Sequence, residues 1–147
     1  MSISNIKVDK MRYQANSLSF GLVMLSLLPS IISLFATITP PAVVSTVTTG
    51  IEILLSILLL LVTFLAGEKA KAYQKKWGIT LIVIAVIHIL RIFFEPLKLY
   101  GLGQLTKGQF TIIILEIITA SALLVVAGLI TIKKHNDLKK HLREVEK

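Results

Sequence analysis

The sequence has no cysteine, and only 16% of its 147 residues are charged, against about a quarter in an ordinary soluble domain. Without cysteine, a disulfide-built secreted module is excluded. With 54% apolar residues, disorder is excluded as well. Catalytic signatures are also missing. There is no phosphate-binding glycine loop and no G-x-S-x-G elbow. Serine occurs at helix-packing spacings, and no Ser, His and acid arrangement stands out. No Cys/His metal constellation exists: His135 and His141 lie in a charged tail and His88 stands alone. Asn16-Ser17-Leu18 fails the glycosylation spacing. The expectation is a protein that is not an enzyme and carries no cofactor and no metal.

What is present is apolar length. Mean hydropathy is +0.81. About 20 apolar residues cross a bilayer as a helix, and four such stretches occur, over 17–38, 43–66, 77–97 and 109–132. Each is a continuous apolar run without the period-2 alternation of barrel strands. The predicted fold class is all-α: one domain over 1–147, a bundle of four transmembrane helices with a short basic tail over 133–147. The first stretch exceeds the roughly 7–15 residues of a secretory signal core, and no A-x-A site follows it, so an uncleaved first helix is expected.

The formal charge is +8. Basic residues in short connections mark the cytoplasmic side. Lys7, Lys10 and Arg12 precede helix 1. Lys69, Lys71, Lys75 and Lys76 lie between helices 2 and 3, and Lys133, Lys134, Lys139, Lys140, Arg143 and Lys147 follow helix 4. The first outer connection, Thr39-Pro40-Pro41, has no basic residue, and the second has only Lys98 and Lys107. Both termini are therefore expected in the cytoplasm, in a plasma or inner membrane. Tyr13, Tyr73 and Trp77 fall at the inner interface, and Tyr100 and Phe110 at the outer one. The basic clusters flank membrane spans, so their partners are anionic headgroups rather than nucleic acid.

Several local readings follow. Gly67 suits a C-cap of helix 2. Pro29 suits a kink in helix 1. Ser19, Ser26, Ser30 and Ser33 form a small-residue stripe on helix 1. Ala120, Ser121, Ala127 and Gly128 form another on helix 4, and such stripes let helices pack closely. Leu138, Leu142 and Val145 make a narrow apolar row in the tail, which is expected to continue helix 4 as a solvated, headgroup-facing helix. The two halves share short matches: Tyr13-Gln14 with Tyr73-Gln74, and Ile51-Glu52-Ile53 with Leu115-Glu116-Ile117. They would form a parallel repeat of hairpins.

The ionisable residues inside the spans require an explanation, because each costs about 2.5–3.5 kcal/mol on insertion scales. They are Glu52, His88, Arg91 and Glu116, with Glu95 and Lys98 near the outer end of helix 3. The spacing of His88, Arg91, Glu95 and Lys98 places all four on one face of helix 3, which Pro96 then kinks or ends. The rise of 1.5 Å per residue puts Arg91 and Glu116 at the same depth, about 10 Å below the outer surface, with Glu52 also in the outer third. The first expectation is an ion pair of Arg91 with Glu116, assisted by Glu95, while Glu52 and His88 are the least paired. The alternative is a pathway or pocket for a small ion or solute built from the same five residues. In function, the sequence points to a small accessory or assembly subunit of a larger membrane complex such as a transporter, or else to a homo-oligomeric channel or transporter.

Overall fold

The computed structural model describes residues 16–38, 46–72 and 74–145. Lys7, Lys10, Arg12, Tyr13, Tyr73, Lys147 and the Thr39-Pro40-Pro41 turn lie outside them. Among the described residues the regular structure is helical. The elements are α1 (Ser17–Ile38), α2 (Thr46–Ala70), α3 (Lys75–Arg91), α4 (Glu95–Gly101) and α5 (Lys107–Val145). Four helical stretches are long and apolar enough to cross a membrane: Ser17–Ala36, Gly50–Ala70, Lys75–Gly101 and Lys107–Lys140.

The helices form a ring. α5 packs most extensively against α1 and α3, and α2 packs more loosely against the same two. The diagonal pairs make little contact. The ring has a near end, where α1 starts, α2 stops and α3 starts, and a far end at Ile38, Thr46 and α4. At the near end Asn16 Nδ2 donates to the Ala70 carbonyl. The Lys71 ammonium stands 3.5 Å from the Phe20 ring centroid.

Glycine permits two close helix approaches. A Cβ on Gly128 would lie 2.7 Å from the Gly78 carbonyl oxygen, and one on Gly78 would lie 2.9 Å from that of Gly128. Backbone therefore touches backbone where α3 meets α5. Gly67 does not cap α2, which runs on to Ala70. Its missing side chain instead makes room for Val23 of α1, whose Cγ1 would be 2.7 Å from a Cβ there. α1 stays helical across Pro29. Both small-residue stripes turn inward: Ser19, Ser26, Ser33, Ala120, Ser121 and Ala127 are buried.

α3 stops at Arg91 because of Pro96. A continued helix would need an amide of residue 96 to reach the Ile92 carbonyl, and proline has none; its ring would also crowd that carbonyl. The amides of Ile92, Phe93 and Phe94 instead donate three residues back, at 3.1 Å each. α4 then opens with Pro96 in its first turn. α5 begins two residues before the apolar run suggests. Thr106 and Gln109 form a reciprocal capping box there: the Thr106 amide donates to Gln109 Oε1 at 2.9 Å, and the Gln109 amide to Thr106 Oγ1 at 3.3 Å. Tyr100 stacks on Phe110 with ring centroids 4.5 Å apart, which ties α4 to α5.

Two apolar cores result. One gathers Val23, Leu59, Ala66, Leu81, Ala85 and Leu124; the other, at the far end, gathers Leu99, Leu105, Ile113 and Ile117 against Ala36 and Ile92. Polar residues stand between them along each contributing helix. On α1 these are Ser26, Ser30 and Ser33; on α3, His88 and Arg91; on α5, Ser121. Outside the ring Leu25, Leu28, Phe35, Leu54, Leu58 and Leu61 are exposed, a continuous apolar surface unlike that of a water-soluble domain.

Candidate functional site

The charged residues of the polar layer do not share one face. Because α3 ends at Arg91 and the chain restarts as α4, the turn at 92–94 breaks the spacing on which the single seam from His88 to Lys98 depended. His88 points into the bundle and is 4% exposed. Arg91 turns toward α2. Glu95 opens α4, and Lys98 stands exposed one turn further on.

Arg91 pairs with Glu52 of α2. Its Nε donates to Glu52 Oε1 at 3.0 Å, and its Nη2 reaches the same carboxylate oxygen. Nη2 also contacts Ser56 Oγ at 2.6 Å, while the Ser56 hydroxyl donates to the Glu52 carbonyl at 2.8 Å. The two charged side chains are 17% and 15% exposed. Glu52 and Ser56 are four residues apart, one above the other on the same face of α2, so both meet Arg91 together.

The expected Arg91–Glu116 pair is therefore corrected. The shared depth allows it, but direction around the helix decides against it. Gly128 marks the face of α5 that touches α3. At 3.6 residues per turn Glu116 is rotated about 120° from that face and shares a row with Ala120 and Ala127. Glu116 is half-buried, and its Oε2 is enclosed without a hydrogen-bond partner among the described residues. Glu52, which the sequence suggested was among the least paired, holds the pair.

Between α2 and α3 lies a groove of about 470 Å³. Ile51, Leu55, Ile87, Leu90 and Phe94 give it apolar walls, Glu52 and Arg91 a charged floor, and Lys98 a basic rim. It opens to the side of the bundle, since all five apolar residues are exposed. The groove has no signature in the sequence, because apolar residues such as Leu90 and Phe94 on a spanning helix look the same whether they meet lipid or line a groove. No group of three or more His, Asp or Glu side chains suited to a metal ion occurs among the described residues. No known protein family, curated protein or solved structure matches the chain.

Proposed function

We propose that the chain is a small, non-enzymatic, multi-pass membrane protein that serves as an accessory or assembly subunit of a larger membrane complex, with its near end in the cytoplasm. The observation that carries this reading is α5. It is one helix of 39 residues, about 58 Å long, whereas a bilayer core is about 30 Å thick. Its final turns leave the apolar zone as a rigid arm bearing Lys133, Lys139, Lys140 and Arg143. The arm is not simply a solvated rod: Leu138 is 6% exposed, because it continues the inward row of Leu124 and Thr131 at intervals of seven. Lys69, Lys71, Lys75 and Lys76 lie at this same end, which supports the orientation by the positive-inside rule. Extraction from native membrane in mild detergent, followed by native mass spectrometry, tests the proposal. The expected result is a complex heavier than the 16.2 kDa chain, containing further copies or other subunits. A lone monomer at every concentration would overturn it.

One observation favours a second reading, a channel or transporter for a small ion or solute. Glu116 carries an enclosed carboxylate oxygen with no partner, and such a group inside a span calls for a counter-charge. Proteoliposomes containing the chain should then pass small cations, with Glu116→Gln abolishing the flux and Glu116→Asp altering it. Liposomes as tight as protein-free ones would dismiss this reading.

A further inference from the structure

We infer that the groove between α2 and α3 binds one anionic bilayer lipid, its phosphate held at Lys98 above Arg91 and an acyl chain lying along Ile87, Leu90 and Phe94. The volume of about 470 Å³ falls within the roughly 300–1,000 Å³ of small-molecule sites. The lining is segregated as an amphiphile requires: apolar walls through the groove, and charge on its floor and far-end rim. The lining charges do not cancel, because one carboxylate stands against two cations. Glu52 and Ser56 engage Arg91 through Nε and Nη2, which fixes the guanidinium in the floor. Lys98 supplies the excess positive charge from an exposed position on α4, where a long flexible side chain reaches headgroup level.

The lateral opening selects the source of the ligand. A bilayer lipid enters sideways, whereas a water-soluble anion would have no use for five apolar walls. Among the described residues the groove's apolar walls run from Ile51 to Leu55 on α2 and from Ile87 on α3 to Phe94 in the turn after it, little more than one to two turns, which is short for docking a partner's transmembrane helix.

The inference rests on the membrane reading above only for the source of its ligand. The test uses the full chain in a mild nonionic detergent, offered phosphatidylglycerol or phosphatidylcholine of matched chains and followed by native mass spectrometry. One phosphatidylglycerol should be retained in preference to phosphatidylcholine. Lys98→Glu should weaken that retention about tenfold or more, and Lys98→Arg should preserve it. Leu90→Trp, which fills the groove, should abolish retention, while Leu129→Trp, on an exposed position of α5, should leave it unchanged. Inorganic phosphate at millimolar concentration should not displace the lipid. Because Lys98 is exposed, Lys98→Glu should keep the wild-type melting temperature, which separates lost binding from lost fold. Equal retention of the two lipids, undiminished binding by Lys98→Glu, or displacement by phosphate would each overturn the inference. The chain has no cysteine, so Leu90→Cys gives a single thiol. Efficient cross-linking of two such copies in nanodiscs would assign the groove to a second copy and overturn the lipid as well. A chain that stays dissolved without detergent would defeat the membrane reading, whereas indifference to lipid charge defeats only the groove.

Discussion

Arg91 lies at the depth of a carboxylate on each neighbouring helix, and its pairing with Glu52 has measurable consequences. Breaking a buried ion pair by removing one partner costs about 3–5 kcal/mol, because the other charge is left uncompensated. At 17% and 15% exposure this pair belongs near the lower end of that range. Arg91→Leu should therefore lower stability by about 3 kcal/mol, measured as denaturant or thermal unfolding in detergent. Adding Glu52→Leu should restore much of the loss, and adding Glu116→Leu should restore no more than that change gains in the wild-type chain. Rescue by Glu116→Leu alone would show that Arg91 faces α5. The sequence made the level of these charges legible, since depth is only a count of residues at a fixed rise. Their pairing was not legible, because it depends on rotation about each helix axis, which tertiary packing decides. Ser56 is the partial exception: its spacing of four from Glu52 marks a shared face.

At the scale of helices, the packing distances turn on single atoms. A methyl group on Gly128 would meet the Gly78 carbonyl oxygen at 2.7 Å and Ile82 Cγ1 at the same distance. A backbone oxygen cannot rotate away as a side chain can, so α3 and α5 must separate. Gly128→Ala should cost about 1–3 kcal/mol, the range of overpacking in a well-filled core. Gly21→Ala is the internal contrast. That glycine lies within α1 with nothing inside 4 Å, and alanine gains about 0.5–1 kcal/mol of helix preference there. A melting temperature lowered by the first change and maintained or raised by the second is the expected pair. A third change tests the start of α5: Thr106→Ala removes the side-chain half of the capping box and should cost about 1 kcal/mol, with fraying visible by hydrogen exchange at Gln109. The helical spans were legible because long apolar runs leave backbone groups only one way to be satisfied. An end to the helix was legible in Pro96, but its place after Arg91, early enough to break the seam to Lys98, was not. Gly67 was misread, since a glycine that ends a helix and one that admits a neighbouring side chain look alike in sequence.

Across the whole molecule, the ring separates two carboxylates that the sequence makes look equivalent. Glu52 and Glu116 occupy matching places in the two short repeats, yet the hairpins do not pack as copies. Val23 sits over Gly67 where α1 meets α2, whereas two glycines face each other where α3 meets α5. The Glu52 carboxylate is held between α2 and α3 by Arg91, and the enclosed oxygen of Glu116 has no such partner. Neutral replacement should therefore act in opposite directions. Glu52→Gln leaves the Arg91 guanidinium without its counter-charge and should lower stability. Glu116→Gln removes an uncompensated charge whose insertion cost is at most about 2.5–3.5 kcal/mol, and Glu116 is only half-buried, so a gain of about 1 kcal/mol is expected. The same pair of variants bears on function. If Glu116 holds a cation, monovalent cations should raise the melting temperature of the wild-type chain and leave that of Glu116→Gln unmoved. If the oxygen is simply unpaired, added cations should act alike on both proteins while the substitution still stabilises. Equal losses from Glu52→Gln and Glu116→Gln would instead mean that both carboxylates are held by ion pairs, and the surroundings of Glu116 as described would be wrong.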